Sequence, residues 1–324
     1  MTLIMDIEEI KSAIMGLSAH QRNELISSIS SENKTGKGLS EVLKEQEEKT
    51  TITCPTCHSE DIIAKGYRDT VRKYQCKSCG RNFSSTTNTA VYRIHKKDKW
   101  EAYLQCMEDG LSIRKAAKRV GISIQTSFDW RHKVLERLGN LHADKLEGIA
   151  EADEMFFPYS EKGNKNIKRA PRKRAGKMIS DDMVNVLVGL DRKGHLIAKN
   201  TGRGGLSKER VDKVLSGKFT PGTILCSDGL PTFIGLAKRE AVIHKPIITY
   251  KSRTLKNKAY HIQTVNAVHA DIRAHMARYK GVATKYLQHY MNWFVAKKLL
   301  KNKLDSFAFW LTWSVVIKSL IEVT

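Results

Sequence analysis

The chain has 324 residues, of which 41% are hydrophobic, so it can bury cores in two or three domains and is not a disordered tail protein. Its 56 Lys and Arg residues outnumber its 34 Asp and Glu residues, and the formal net charge of +22 predicts a polyanionic partner. Residues 1–50 carry 6 basic and 9 acidic residues, so the positive charge lies in the rest of the chain.

Residues 1–50 predict an N-terminal helical segment. Apolar positions such as Ile10, Ile14 and Leu17 recur at helical spacing between acidic and small polar residues. The stretch at 31–38 is rich in Ser, Lys and Gly and predicts a loop between two short helices. The segment is too polar to form a core of its own, and its sequence indicates no function.

Two C-x-x-C pairs follow, Cys54 with Cys57 and Cys76 with Cys79, separated by 18 residues that include strand-like stretches. Four thiolates at this spacing are typical of a tetrahedral Zn²⁺ site with no open position for catalysis. We therefore predict a zinc ribbon over residues 51–90, with structural zinc. The alternatives are disulfides, which need an oxidising compartment, or a redox motif, which needs a βαβ context.

Residues 96–140 predict a helix-turn-helix DNA-binding domain. Ser112 and Ser123 are natural N-caps, and Gly121 suits the end of the first helix. The second helix would present side chains that can reach bases and phosphates, namely Gln125, Thr126, Trp130, Arg131 and Lys133. The alternative is a structural helical hairpin with a charged outer face.

From residue 146 to residue 300 the pattern changes to strands mixed with helices. Strands are predicted at 149–157, 183–190, 195–198, 223–229 and 241–244, and helices at 207–215 and from Tyr260 onward. This order predicts an α/β ribonuclease H-like domain with a mixed five-stranded sheet. Residues 301–324 predict a C-terminal helix, and the largely apolar stretch at 307–317 is 11 residues long, too short to span a membrane. The N-terminus shows no secretory signal.

The predicted strand order places two aspartates close together. Asp153 lies in the first strand and Asp228 at the end of the fourth, and these strands are neighbours in a ribonuclease H-like sheet. Both carboxylates could therefore reach one pair of Mg²⁺ or Mn²⁺ ions, which suits phosphoryl transfer. Taken singly, either aspartate could be a turn cap or a salt-bridge partner.

Four motifs carry a resemblance to a known family: Glu-Ala-Asp-Glu at 151–154, Ser-Asp-Gly at 227–229, His-Ile-Gln-Thr-Val-Asn at 261–266, and the stretch 281–294. Because these motifs follow the cysteine pairs in this order, the chain resembles zinc-ribbon insertion-sequence transposases of the ISXO-like group. The resemblance runs from about Cys54 to Phe294. The resemblance implies a DDE-type enzyme that binds the terminal repeats of its element, then cuts and rejoins DNA with two divalent cations.

The resemblance places Asn266 at the third metal-binding position, where a DDE enzyme has Glu, and Arg273 at the family's basic position. Arg273 follows Asn266 by seven residues, or two helical turns, so both would share one helix face. The rival carboxylate Asp271 would point about 140° away. Since an amide adds no charge to the site, Glu154, His269 or DNA phosphate would have to compensate. An inactive, domesticated copy is the alternative.

The stretch 162–177 contains 8 Lys or Arg residues and no acid, between the first two strands. It predicts a mobile loop that contacts phosphates through Lys168, Arg169, Arg172, Lys173 and Arg174. The alternative is a solvated loop.

Together these patterns predict a DNA transposase whose partners are double-stranded DNA, at the element ends and the target, and further copies of itself in a homodimer or larger assembly. No membrane partner is expected, and the location would be cytoplasmic and nucleoid-associated if the host is bacterial. The rival from another class is a zinc-ribbon and helix-turn-helix regulator without catalytic activity. A nuclease or another recombinase on the same fold is the third possibility.

Overall fold

The computed structural model describes residues 39, 43–44, 52–69, 71–167, 182–248 and 259–300. These residues form two compact units, with the boundary between Leu104 and Gln105. Most of the predicted N-terminal helical segment and all of the predicted helix at 301–324 lie outside the described residues. Among the described helices, none has both the length and the hydropathy to cross a bilayer.

The first unit contains a small antiparallel sheet of three strands in sequential order: β1 at Ile62–Arg68, β2 at Val71–Cys76 and β3 at Asn82–Ser84. Tyr74 and Phe83 stack with ring centroids 5.4 Å apart and form, with Cys54 and Cys76, a core of four buried residues. So small a core needs additional stabilisation, which a bound metal would provide.

Three helices follow: α1 at Trp100–Glu108, α2 at Ile113–Val120 and α3 at Ile124–Arg137. The predicted caps are confirmed, since the Ser112 and Ser123 hydroxyls accept hydrogen bonds from backbone amides in the first turns of α2 and α3. Gly121 closes α2 in the left-handed conformation at φ 69°, which favours glycine. The sequence thus predicts where α2 ends and where α3 begins.

The second unit is built on a mixed sheet of five strands: β4 at Ile149–Pro158, β5 at Met183–Asp191, β6 at Leu196–Arg203, β7 at Ile224–Ser227 and β8 at Ile243–Pro246. Their order in the sheet is β6-β5-β4-β7-β8. β4 pairs antiparallel with β5 and parallel with β7. The predicted mixed sheet is therefore confirmed, and β4 lies at its centre.

Two helices cover one face of this sheet, α4 at Lys208–Leu215 and α5 at Pro231–Arg239. Small residues of β4, Ala150 and Ala152, face a core that includes Leu215 and Phe233. Helix α5 is absent from the sequence-based prediction, although a proline at its first turn and basic residues at its last are typical helix signals.

Two further helices, α6 at Gln263–Ala277 and α7 at Leu287–Leu300, pack on the sheet through β4, β5 and β6. Asn292 of α7 joins the elements: its Nδ2 donates to the Leu135 carbonyl at 3.0 Å, and its Oδ1 lies 2.9 Å from Nε2 of His142. His142 in turn accepts the Ala198 amide of β6 through Nδ1. This buried network ties α3 and α7 to the sheet.

Candidate active site

The pairing of β4 with β7 brings the two predicted aspartates together. Glu151 lies opposite Cys226 in the parallel register, and two further residues along each strand lead to Asp153 and Asp228. Because side chains alternate along a strand, Asp153 shares the face of Glu151, opposite to the face that Ala152 packs into the core. The end of β7 thus presents Asp228 beside Asp153.

A third carboxylate joins this pair. Glu154 follows Asp153 on β4, and strand alternation would direct it to the other face. Its longer side chain nevertheless brings a carboxylate oxygen to the aspartates, so that one oxygen from each of the three residues lies within 4.8 Å of the others. Glu154 Oε2 is buried and has no hydrogen-bond partner among the described residues.

The charge of Asp228 raises the cost of ionising the other two acids. Burial, followed by the charge of Asp228, raises the pKa of Asp153 to about 6. Burial and the charges of both aspartates raise the pKa of Glu154 to about 7. Converging carboxylates with an unpaired buried oxygen form the hard donor set that Mg²⁺ or Mn²⁺ prefers, so these residues fit a divalent cation.

Helix α6 supplies the other predicted residues. His269 Nδ1 lies 3.9 Å from Asp153 Oδ2, and Arg273 is close enough for its charge to lower the pKa of Asp153. Asn266, one turn before His269, is exposed, and no hydrogen bond joins its amide to the acids in the described part of the chain. Asp271 forms an ion pair with Lys298 of α7 at 2.5 Å, so it is engaged elsewhere.

Buried Glu151 anchors the start of α6. Its Oε2 accepts the Val265 amide at 2.9 Å, and Oε1 lies 2.7 Å from Arg192 Nη2. Arg192 also donates to Thr264 Oγ1 at 2.7 Å, while His261 Nδ1 lies 3.4 Å from Glu151 Oε1. Glu151 is predicted only as part of a motif, although an acid two residues before Asp153 on the same strand lies on the same face and could have indicated this role.

The turn after β7 fixes Asp228. Asp228 Oδ1 accepts the Leu230 amide at 3.1 Å, and Gly229 has φ 84°, a region that favours glycine. A Cβ at Gly229 would meet Pro246 Cβ at 3.4 Å. Ser227 Oγ lies 2.9 Å from His244 Nε2, and burial lowers the pKa of His244, so this histidine supports the turn as a neutral group.

The four predicted cysteine ligands lie together, with one sulfur atom from each within 4.8 Å of the others. Cys54 Sγ is 3.5 Å from Cys79 Sγ, and Cys57 Sγ is 3.5 Å from Cys76 Sγ. Disulfide sulfurs would be about 2 Å apart, whereas sulfurs around a tetrahedral Zn²⁺ are separated by about 3.8 Å because each is about 2.3 Å from the ion. The spacing of the four free thiols therefore fits zinc rather than disulfides.

Backbone groups favour ionisation at one of these sulfurs. Burial opposes ionisation of the Cys54 thiol, but hydrogen bonds from the backbone at Cys57 and Thr56, together with those from the Cys79 and Cys57 side chains, lower its pKa to about 6. A thiolate is the form that binds zinc. The turn that carries Cys54 and Cys57 thus favours the thiolate form that binds a metal.

Helix α3 presents only some of the side chains predicted to reach DNA. Gln125 is exposed and donates to Asp129, and Thr126 and Lys133 are partly exposed. The prediction for Arg131 is wrong: the residue is completely buried, donates to the Leu111 carbonyl at 2.7 Å and lies over the Trp293 ring. Trp130 is buried as well. Packing against α7 takes up this side of the helix.

The five predicted basic contacts between 168 and 174 lie outside the described residues.

Comparison with known families decides the class of the second unit. Residues 145–295 match the family model described as an ISXO2-like transposase domain. This part of the chain is an ISXO2-like transposase domain. The resemblance inferred from the sequence motifs is therefore confirmed for the five-stranded sheet and its helices; the match does not include the cysteine sheet or helices α2 and α3.

Several solved structures are weakly similar to the chain. A simian T-cell lymphotropic virus intasome in complex with PP2A regulatory subunit B56 gamma has 12% identity and a TM-score of 0.30, covering 62% of this chain and 68% of that chain. A pre-cleavage Mos1 transpososome and a mariner Mos1 paired-end complex with Mg each have 14% identity and a TM-score of 0.27, covering 68% of this chain and 76% of theirs. The strand order and the family match, rather than these weak similarities, define the transposase domain. No curated protein matches the chain.

The transposase domain contains a second cluster of possible ligands, Glu147, Asp191 and His195. Both Asp191 oxygens are already occupied: Oδ1 accepts the amides of Lys193 and His195, and Oδ2 accepts the Glu147 amide and lies 2.7 Å from His195 Nδ1. This cluster closes the turn between β5 and β6 and leaves no free donor set for a cation.

Proposed function

We propose that the protein is a DNA transposase that binds the terminal repeats of an insertion sequence and catalyses metal-dependent strand cleavage and transfer. The observation that carries this proposal is the convergence of Asp153 and Asp228 from two paired strands of an ISXO2-like transposase domain. Loss of either carboxylate would remove half of this pair.

Two Mg²⁺ or Mn²⁺ ions would be held by Asp153 and Asp228, and they would supply activation of the attacking oxygen and stabilisation of the leaving oxygen. Asn266 would contribute a neutral amide oxygen from α6. Arg273 would place a positive charge beside the acids, where it can bind a DNA phosphate. Glu151 would hold α6 against the sheet, so that these side chains face the aspartates.

DNA would be held by the parts of the chain before the transposase domain. Zn²⁺ bound by the four cysteines would fold the small sheet into a zinc ribbon, and α2 and α3 would act as a helix-turn-helix. Gln125 and Thr126, at the start of α3, would contact bases, and Lys133 and the basic stretch 168–174 would contact phosphates. The net charge of +22 supports a polyanionic partner.

At least two copies of the chain are expected on DNA, because two element ends must be held together. In a bacterial host the protein would act at the nucleoid.

The test is cleavage of a supercoiled plasmid that carries the element's own flanking repeats, with Mg²⁺ or Mn²⁺. The unmodified protein should cut at the repeat ends and join them to target DNA, and Asp228→Asn should bind DNA without cutting. Asp271→Asn is the matched control: this aspartate is paired with Lys298, so cleavage should persist.

Two results would replace the proposal. Sequence-specific binding without cutting by the unmodified protein would identify a regulator or a domesticated copy, the alternative that the neutral Asn266 favours. Cutting without joining would identify a nuclease.

A further inference from the structure

The proposed metal site has too little negative charge, because the residue at its third position, Asn266, is neutral. Asn266 is neutral and exposed, and in the described part of the chain no hydrogen bond joins its amide to the aspartates. Two divalent cations carry four positive charges, whereas Asp153 and Asp228 supply two negative ones. A further carboxylate near the aspartates would therefore strengthen cation binding.

Glu154 has the geometry that this position requires. A carboxylate oxygen of Glu154 lies within 4.8 Å of one from Asp153 and one from Asp228. Two oxygens on one Mg²⁺ lie up to about 4.2 Å apart, because each is about 2.1 Å from the ion. Only a small adjustment of the side chains would bring all three oxygens onto one cation.

The contacts of neighbouring buried acids distinguish Glu154 from them. Glu151, on the same strand, is bound by the Val265 amide and by Arg192. Asp191 receives hydrogen bonds on both oxygens. Glu154 Oε2, in contrast, is buried without a hydrogen-bond partner among the described residues. A buried carboxylate oxygen without a donor is costly unless a cation or another group satisfies it.

We propose that Glu154 is a metal ligand that supplies the third carboxylate of the site, so that the missing charge of Asn266 comes from the strand that carries Asp153. This inference rests on the proposed function, since it concerns the same site. Asp153 and Glu154 are then two adjacent ligands on β4, and Asp228 at the end of β7 is the third.

Mn²⁺ binding to the full-length, zinc-loaded chain without DNA tests this role, with free Mn²⁺ followed by its electron paramagnetic resonance signal at pH 8. Glu154→Gln, which keeps the size of the side chain, should weaken binding by about tenfold or more. Glu154→Asp, which keeps the charge, should lose less. Glu147→Gln, in the cluster whose aspartate is already saturated, should bind Mn²⁺ as the unmodified protein does.

The results separate this inference from the proposed function. If Glu154→Gln binds Mn²⁺ normally while Asp228→Asn does not, Glu154 is not a ligand and the two-aspartate site stands. Equal losses in Glu154→Gln and Glu154→Asp would also overturn the inference, because the side chain would then act through its shape. Normal binding by Asp228→Asn would place the cation elsewhere and overturn both.

A second measurement uses the unmodified protein, so it does not depend on whether a variant at position 154 folds. Carbodiimide labelling of the unmodified protein, read by mass spectrometry of the peptide that contains Glu154, should be suppressed by Mn²⁺. Labelling of Glu154 that is the same with and without Mn²⁺ would overturn the inference.

Discussion

Replacing Asp153 by Asn should stabilise the metal-free protein, although it should abolish activity. The Asp153 side chain is 16% exposed, and burial beside Asp228 raises its pKa from 3.8 to about 6. An acid whose pKa is higher in the folded state destabilises that state as the pH rises through this range. A shift of about two pKa units corresponds to about 3 kcal/mol at pH 8, and to about half of that at pH 5.

The assay is urea denaturation of unmodified and Asp153→Asn protein at pH 5 and pH 8. The buffer should contain stoichiometric Zn²⁺ for the four cysteines, no other divalent cation, and no chelator. The variant should be more stable at both pH values and by more at pH 8, and Mg²⁺ should stabilise the unmodified protein more than the variant. Asp144→Asn is the control, because that side chain is 97% exposed and should change stability by less than about 0.5 kcal/mol. Equal or lower stability of Asp153→Asn at pH 8 would refute the reasoning.

Four further changes test other parts of the structure. Glu151→Gln should cost about 2–3 kcal/mol in urea denaturation, because it removes the ion pair with Arg192 and weakens the hydrogen bond from the Val265 amide at the start of α6; a loss below about 0.5 kcal/mol would show that this anchor is unimportant. Gly229→Ala should cost about 1–2 kcal/mol, because a side chain at φ 84° is strained, whereas Gly205→Ala, with open space around its Cβ, is the control that should remain close to the unmodified protein. Asn292→Leu should cost about 2–4 kcal/mol by removing the partner of the Leu135 carbonyl and of His142 Nε2, and a normal melting temperature would contradict this. Removal of zinc with a chelator should change the circular dichroism of the cysteine sheet and leave the thermal transition of the transposase domain in place; an unchanged spectrum would argue against a zinc-dependent fold.

Local patterns in the sequence specify much of this protein. Ser112, Gly121 and Ser123 place the ends of α2 and α3, because caps and left-handed glycines act within one helical turn. The spacing of the four cysteines predicts their cluster for a similar reason, since each pair lies on one tight turn. The positions of Asp153 and Asp228 follow from strand order together with parallel register.

Long-range packing decides the rest. Arg131 looks like a surface residue by its chemistry, yet the Trp293 ring and the Leu111 carbonyl enclose it. Trp293 is far away in sequence, so no local pattern reveals this contact.

Glu154 shows the same limit within the site. Alternation along β4 would separate it from Asp153, and only the three-dimensional arrangement at the end of β7 brings its carboxylate to the aspartates. The sequence by itself determines which residues can bind a cation and where its strands and helices begin. The tertiary structure decides which of those residues meet, because convergence depends on strand order, side-chain length and the packing of helices from distant parts of the chain.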